Sequence, residues 1–373
     1  MPQRRETGDI HIVHVETGRH LYGGARQVLL LMQGLEDRGR RGTLVCPAGS
    51  DIETAARTRG LGVHGMAMHG DADVGFTGRL ARLLRRLRPD LVHVHSRRGA
   101  DTFGGLAARL AGIPAVLSRR VDRLDPRGFG RLKYTQFRRV IAISACIRDQ
   151  LAAGGVPAAK LRLVHSAVPA VTEAEGMSRE AFHDRFGLPA DAFPIAVVAQ
   201  LIPRKGHRFF IDALAALLDT HSEIRAVMFG IGPLKAELVA QVNALGLDEH
   251  VRFAGFEPEL GRWLGHFELL VHPAEREGLG IAVLEAQAAG VPVVGCRAGG
   301  LAEAVADGET GMLVTPGDVS ALASAIRGMI EDEPRRHRFA AAGPERVRRA
   351  FGVDAMVEGN LAVYGEIVNG PMG

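Results

Sequence analysis

Short apolar runs alternate with helix-like stretches along nearly the whole chain, and this rhythm limits the fold more than any other feature. The runs in the first half include residues 10–15, 43–46, 91–95, 115–117 and 140–143; those in the second include 195–201, 226–229, 251–253, 269–272, 291–295 and 312–314. They are rich in Val, Ile and Leu with little polar alternation, the pattern of parallel strands buried on both faces. Amphipathic stretches such as 206–218 and 279–289 lie between them. Repeated strand–helix units predict an α/β fold built on parallel sheets.

The rhythm breaks once, over residues 168–194, which hold Pro169, Pro189 and Pro194 and a charged stretch around 173–185. An interdomain linker is expected at the start of this segment, over 168–178. It separates two domains of Rossmann size, 8–170 and 178–350, and the tail 351–370 reads as a final helix. A length of 373 residues suits two domains. No apolar stretch reaches the ~20 residues that span a bilayer. The first nine residues lack the apolar run of a signal peptide, so a cytoplasmic protein is expected. Cys46, Cys146 and Cys296 lie far apart, without a CxxC pair, which argues against a zinc site or a disulfide framework.

Net charge is unevenly spread. Residues 1–165 carry 28 Lys+Arg against 14 Asp+Glu, a balance of +14; the remaining 18 and 28 give −10. A basic half attracts phosphate-rich surfaces. The stretch from Arg79 to Arg88 concentrates this charge, with Leu80, Leu83, Leu84 and Leu87 on one helical face. It reads as a surface helix packing its leucines on a sheet, or as a contact with an anionic membrane. No recognition-helix or zinc-finger pattern supports nucleic acid as a partner.

The string most informative about chemistry runs from His272 to Val294. A strand ends near His272, a glycine-rich turn follows (Glu277, Gly278, Leu279, Gly280), a helix runs to about Gly290, and a strand resumes. Glycines at such a turn let backbone approach a ligand closely. The free amides and positive dipole end of the helix favour a phosphate there, through Gly278 to Ile281. Glu285, inside the helix, can accept hydrogen bonds from a ribose diol, as Rossmann acidic residues do. Glu277, in the turn, can reach the group beyond the phosphates. The alternative is a pair of solvated helix-end carboxylates beside a core turn. A second element, from Gln200 to His207, follows the strand at 195–199 and offers Arg204 and Lys205 as positive partners for a diphosphate. A third, Phe229-Gly-Ile-Gly-Pro-Leu234, supplies Gly230 and Gly232 as a close-approach turn at the rim.

With these residues in view, the chain resembles glycosyltransferase family 4, a retaining family of the GT-B kind. The resemblance is specific over 195–315 and looser before 170. It rests on the Glu-x7-Glu spacing of Glu277 and Glu285, the Arg/Lys clamp and the Gly-x-Gly-Pro turn. It implies two Rossmann-like domains with parallel sheets facing across a cleft, an acceptor-side N-terminal domain and a nucleotide-sugar donor domain. The final helix is expected to pack back toward the N-terminal domain. Glu285 would bind the nucleotide ribose, Glu277 the donor sugar and Lys205 the diphosphate, with the base near Phe256. The family's clamp usually begins with an arginine where this chain has Gln200, and Arg204 is the candidate substitute.

In the first half, Gly23 and Gly24 resemble the family's Gly-Gly loop. The triplet His93-Val-His95 resembles its His-x-His strand end, although lone strand histidines are more often structural than catalytic. Arg120 stands where many relatives place a histidine facing the donor sugar. The expected reaction is retaining transfer of a hexosyl group from a nucleotide-diphosphate sugar, UDP foremost, to a cell-envelope glycan or glycolipid of the lipopolysaccharide type. The enzyme would work at the inner face of the cytoplasmic membrane. No Asp-x-Asp motif accompanies the phosphate-site elements over residues 195–315, and no metal or cofactor is expected. A GT-B sugar-nucleotide epimerase and an inactive sugar-nucleotide-binding module are the alternatives. A dinucleotide dehydrogenase is disfavoured because no Gly-x-Gly-x-x-Gly opens the first strand–helix turn.

Overall fold

A computed structural model describes residues 10–70, 72–95, 99–122, 133–169 and 177–370. The chain divides into two compact units. The first comprises Met1–Ala167 with Val353–Gly373, the second Val168–Gly352. Most of the stretch expected to be a linker, 170–176, lies outside the described residues.

The first unit is built on a seven-stranded sheet: β1 (His11–Val15), β2 (Arg41–Pro47), β3 (Val63–Met66), β4 (Leu91–Val94), β5 (Ala115–Arg119), β6 (Arg139–Ala142) and β7 (Leu161–Leu163), in the order β3-β2-β1-β4-β5-β6-β7. The pairings among these strands are parallel, with His14 of β1 beside His93 of β4. Helix starts are marked by side-chain caps: Ser50 to the Glu53 amide, Asp73 to Phe76, Ser144 to Ile147. Each cap satisfies an amide that a helix leaves unpaired. The last helix, Val353–Val368, packs on Gly23–Glu36, where Leu31, Leu35, Met356, Val357 and Tyr364 share one buried cluster. A Cβ at Gly34 would lie 2.6 Å from Val357 Cγ2, so the glycine lets these two helices approach.

The second unit carries six strands: β8 (Phe193–Val198), β9 (Ile224–Phe229), β10 (Val251–Gly255), β11 (Leu269–His272), β12 (Val293–Cys296) and β13 (Gly311–Val314), in the order β10-β9-β8-β11-β12-β13, again parallel. Inside the segment that breaks the sequence rhythm sits a short helix, Arg179–Phe186, capped by Ser178 and closed by Gly187 in the left-handed region. Its Phe182 and Phe186 pack edge-on against Phe267 and Phe229, which anchors the charged segment to the sheet. Both sheets are covered on both faces by helices, so the strand cores are close to fully buried.

Candidate functional site

In the second unit the strand order reverses between β8 and β11. Crossovers leave these two strands in opposite directions, which opens a crevice at their carboxyl ends. Loops from both strands enter it. After β8 the chain forms the tight turn Pro203–Lys205; after β11 it passes through Glu277 to the helix Ile281–Ala288. Backbone bonds tie the rim together. The Arg204 carbonyl accepts from the Glu275 amide at 3.0 Å, Leu201 N–H donates to the Ile231 carbonyl at 3.1 Å, and Gly230 N–H donates to Gly255 at 2.7 Å.

Lys205 and Glu277 meet in this crevice. Lys205 Nζ lies 2.6 Å from Glu277 Oε2, and His272 Nε2 lies 2.7 Å from the same oxygen. Oε1 accepts the Gly278 amide at 2.9 Å. Burial opposes ionisation of this carboxyl, but the hydrogen bond from His272 and the Lys205 ammonium outweigh it and hold Glu277 well below the usual carboxylate range. Behind Lys205, His207 is buried and its pKa is pushed down to about 4, chiefly by desolvation, so it adds no charge at neutral pH. The site therefore gathers Lys205 and His272 on the Glu277 carboxylate beside a helix N-terminus.

The remaining expected residues of this unit fall around that pair. Leu279 and Gly280 complete the turn, with Gly280 at φ +92°, and Ile281 begins the helix. Glu285 is half-buried on the same helix. Arg204 shares the turn of Lys205, while Gln200 is exposed. A Cβ at Gly230 would lie 1.9 Å from the Ala199 carbonyl oxygen and one at Gly232 2.3 Å from that of Leu201, so both glycines are demanded by the approach of the β8 and β9 loops. Phe256, just beyond β10, is 63% exposed.

Two features escaped the sequence reading. His272 entered it only as a strand end, yet it donates directly to Glu277. Gly299 and Gly300, after β12, lie against the backbone of the Glu277 turn: added Cβ atoms would fall 2.1 Å from the Glu277 carbonyl oxygen and 2.2 Å from that of Gly278. The Gly300 amide donates to the Glu277 carbonyl at 3.0 Å. The Gly-Gly pair at a strand-to-helix junction was the available signal.

The other expected residues belong to the first unit. Gly23 and Gly24 open the helix Gly23–Glu36, and a Cβ at either would meet nothing within 4 Å, so packing inside this unit does not require them. Arg120 is half-buried and its guanidinium lies 3.4 Å from His95 Nδ1. Because arginine only donates, His95 accepts at Nδ1 and its Nε2–H faces His14 Nδ1 at 2.9 Å. His93 is held by the Tyr364 hydroxyl at 2.6 Å and the Ser118 hydroxyl at 2.8 Å. Burial keeps all three rings neutral, with His14 pushed down to about 3. Their ring nitrogens lie within 4.8 Å of one another, and neutral imidazoles are zinc ligands. Here, however, both nitrogens of His93 and both of His95 are taken up by neighbours, and Arg120 sets a positive charge beside them. The arrangement is a hydrogen-bonded stack that fixes Arg120.

Comparison with known proteins bears on both units. Residues 178–346 match the family described as Glycosyl transferases group 1, and residues 22–167 match the Glycosyl transferase 4-like domain. A D-inositol 3-phosphate glycosyltransferase from Catenulispora acidiphila is 31% identical over 312 residues, covering 76% of this chain and 74% of the relative. A 2-deoxystreptamine glucosyltransferase from Streptomyces kanamyceticus is 28% identical over 312 residues, covering 77% and 80%. The crystal structure of HepE from Anabaena in complex with UDP-glucose has the same fold, with a TM-score of 0.82 at 22% identity, covering 95% of this chain and 98% of that one.

Proposed function

Because the chain belongs to the group 1 glycosyl transferases and has their two-sheet GT-B fold, we propose that it moves a hexosyl group, with retention, from a UDP-sugar to a cell-envelope glycan or glycolipid acceptor. The observation that carries this reading is the meeting of Lys205 and Glu277 at the β8/β11 crevice beside the N-terminus of the helix Ile281–Ala288. In the proposed reaction the bond from the sugar's anomeric carbon to the diphosphate breaks, and its electron pair leaves with the phosphate. The acceptor oxygen bonds the same carbon from the same face, and its proton passes to the departing phosphate oxygen. Lys205, Arg204 and the amides of Gly278 to Ile281 would stabilise the charge that develops. Preorganised groups of this kind supply about 3–4 kcal/mol each. Lys205 would exchange Glu277 for the diphosphate when the donor arrives. Glu277, still held by His272 and the Gly278 amide, would then face the sugar hydroxyls. The test is proton NMR of product formed from a panel of UDP-, GDP- and ADP-sugars; an inverted anomeric centre, or no turnover with any donor, overturns the proposal.

Glu285 is assigned to the ribose. Glu285→Ala is expected to weaken binding of the bare nucleoside diphosphate by about 1–3 kcal/mol, the loss of charge-assisted hydrogen bonds. Calorimetry reads this directly, and an unchanged Kd removes Glu285 from the site.

The acceptor's surroundings suggest a membrane surface. Among the described residues no helix is long and apolar enough to cross a bilayer. On the helix Val74–Leu87, Leu80 and Leu84 are buried while Arg82, Arg85 and Arg86 are exposed. The adjoining helix Gly105–Ala111 exposes Leu106 and Leu110, and Arg85 donates to the Leu110 carbonyl at 2.6 Å. Arg79 is excluded from this surface, since it pairs with Asp73. Each basic residue close to an anionic membrane contributes about 1 kcal/mol. The Arg82→Glu, Arg85→Glu, Arg86→Glu triple variant should therefore lose sedimentation with anionic vesicles, as should the wild type in high salt. Sedimentation indifferent to lipid charge, salt and the triple substitution sinks the membrane assignment.

A further inference from the structure

The helix Leu301–Ala304 is a single turn, and what holds it bears on the crevice. Its leading end lies on the Glu277 turn through Gly299 and Gly300. Its first side chain, Leu301, is fully buried and fills the space beside Gly280, where a Cβ would come 2.7 Å from Leu301 Cδ1. The helix Ile281–Ala288 starts from Gly280. A displacement of Leu301–Ala304 is thus passed to both parts of the crevice, the carboxylate turn and the helix start.

One turn of helix cannot satisfy its own last carbonyls. Two side chains from elsewhere in the same unit do so. Gln287 Nε2 donates to the Ala304 carbonyl at 3.0 Å, and Arg346 donates to that of Glu303 at 2.7 Å. Gln287 stands two residues beyond Glu285 on the helix Ile281–Ala288 and is fully buried. Arg346 reaches in from the helix Glu333–Phe351. Gly343 lets that helix approach closely, since a Cβ there would lie 2.6 Å from the Gln287 carbonyl oxygen.

Packing alone does not explain a glutamine at this position. Its Oε1 is buried with no hydrogen-bond partner among the described residues, and an unpaired buried acceptor destabilises a fold. The amide cannot turn over to relieve this. Nε2 also lies 3.4 Å from the Val283 carbonyl, so a flipped Oε1 would face two carbonyl oxygens. A methionine would fill a similar volume with no polar atom left unpaired. What the glutamine adds is the donor to Ala304.

We propose that Gln287 is a positioning residue for sugar transfer, with Arg346 as a second prop. Together they hold the trailing end of Leu301–Ala304, so that its leading end keeps Glu277 against Lys205 and His272. The inference rests on the glycosyl-transfer reading above. Gln287 acts through the Ala304 carbonyl and then through the bond from the Gly300 amide to the Glu277 carbonyl.

The test compares the full chain as wild type, Gln287→Met and Arg346→Met. With the donor that the wild type turns over best, Gln287→Met should lower kcat about tenfold, less than the roughly hundredfold loss of a full 1 Å misplacement. Burial raises the Glu277 pKa, and His272 and Lys205 outweigh it. As the turn moves away from them, the acid limb of kcat/KM should shift to higher pH. Hydrogen exchange at the Gly300 amide should quicken about tenfold. Arg346→Met should move all three readouts in the same direction. Wild-type kcat, acid limb and Gly300 exchange in Gln287→Met, whatever its urea midpoint, would overturn the proposal and leave Gln287 a residue of the fold alone. If Gln287→Met does not fold, the same three readouts unchanged in Arg346→Met overturn it. A wild type that turns over no nucleotide sugar removes the transferase reading instead, and Gly300 exchange then still decides whether Gln287 holds the Glu277 turn.

Discussion

Lys205→Met is expected to lower kcat with the full sugar donor by about 100- to 1,000-fold, the usual consequence of removing one preorganised charge from a developing anion. The methionine keeps the length and packing of the lysine stem, so the change isolates the ammonium. In the free protein the same change strips Glu277 of one partner but leaves the His272 donor and the Gly278 amide. The stability loss should therefore stay near 1–3 kcal/mol, and a folded variant can be assayed. A second readout follows from the carboxylate. Lys205 helps hold the Glu277 pKa down, so its removal lets that pKa rise. Glu277 is charged above its pKa, and the charge is lost as pH falls through it. The acid limb of kcat/KM, which reports the free enzyme, should accordingly sit at higher pH in Lys205→Met than in the wild type. Glu277→Gln complements this: it should spare binding of the bare nucleotide and impair turnover of the full donor. An unchanged kcat in Lys205→Met would remove Lys205 from the leaving-group role.

Much of this architecture was legible in the chain because strands buried on both faces write themselves as continuous Val/Ile/Leu runs. The central strands β1, β4, β8, β9 and β11 all lie in such runs. The two edge strands of the first sheet are less visible. β3 is Val-His-Gly-Met and β7 is Leu-Arg-Leu, and half-covered edges tolerate the polar residues that erase the pattern. The crevice residues were legible for a different reason: glycines and charges at the ends of strands have few purely structural uses, so Lys205, Gly230, Glu277 and Gly278 stood out together. The hydrogen bond between His272 and Glu277 did not, because spacing alone does not tell which way a strand-end side chain turns. The histidine stack around Arg120 was hidden for a topological reason. His14, His93 and Arg120 come from β1, β4 and the end of β5, and only the strand order β1-β4-β5 makes them neighbours. The pairing of Lys205 with Glu277 spans 72 residues of sequence and follows from the adjacency of β8 and β11 in the same way.

That adjacency extends one strand further, to β12, and there a single methyl group should disable the site. Gly299 has φ +55°, and a Cβ built on it lies 2.1 Å from the carbonyl oxygen of Glu277. The neighbouring backbone has little room to yield, since the Gly300 amide is bonded to that same carbonyl and the Leu301 amide to Ala298. Gly299→Ala must therefore push the Glu277 turn away from the Lys205 loop. A displacement of about 1 Å in a catalytic group costs on the order of 100-fold in rate, and the overpacking should cost about 1–3 kcal/mol of stability. Left-handed strain alone is a competing explanation for any loss, and Gly308→Ala isolates it. Gly308 has φ +80° in the same unit, but a Cβ there meets nothing within 4 Å. It should lose only the ~1–2 kcal/mol of placing an L side chain in that region and keep its turnover. Urea midpoints and kcat for the two variants, measured side by side, decide the matter. If Gly299→Ala and Gly308→Ala lose the same stability and both turn over like the wild type, the contact between the β12 loop and the Glu277 turn has no part in shaping the site.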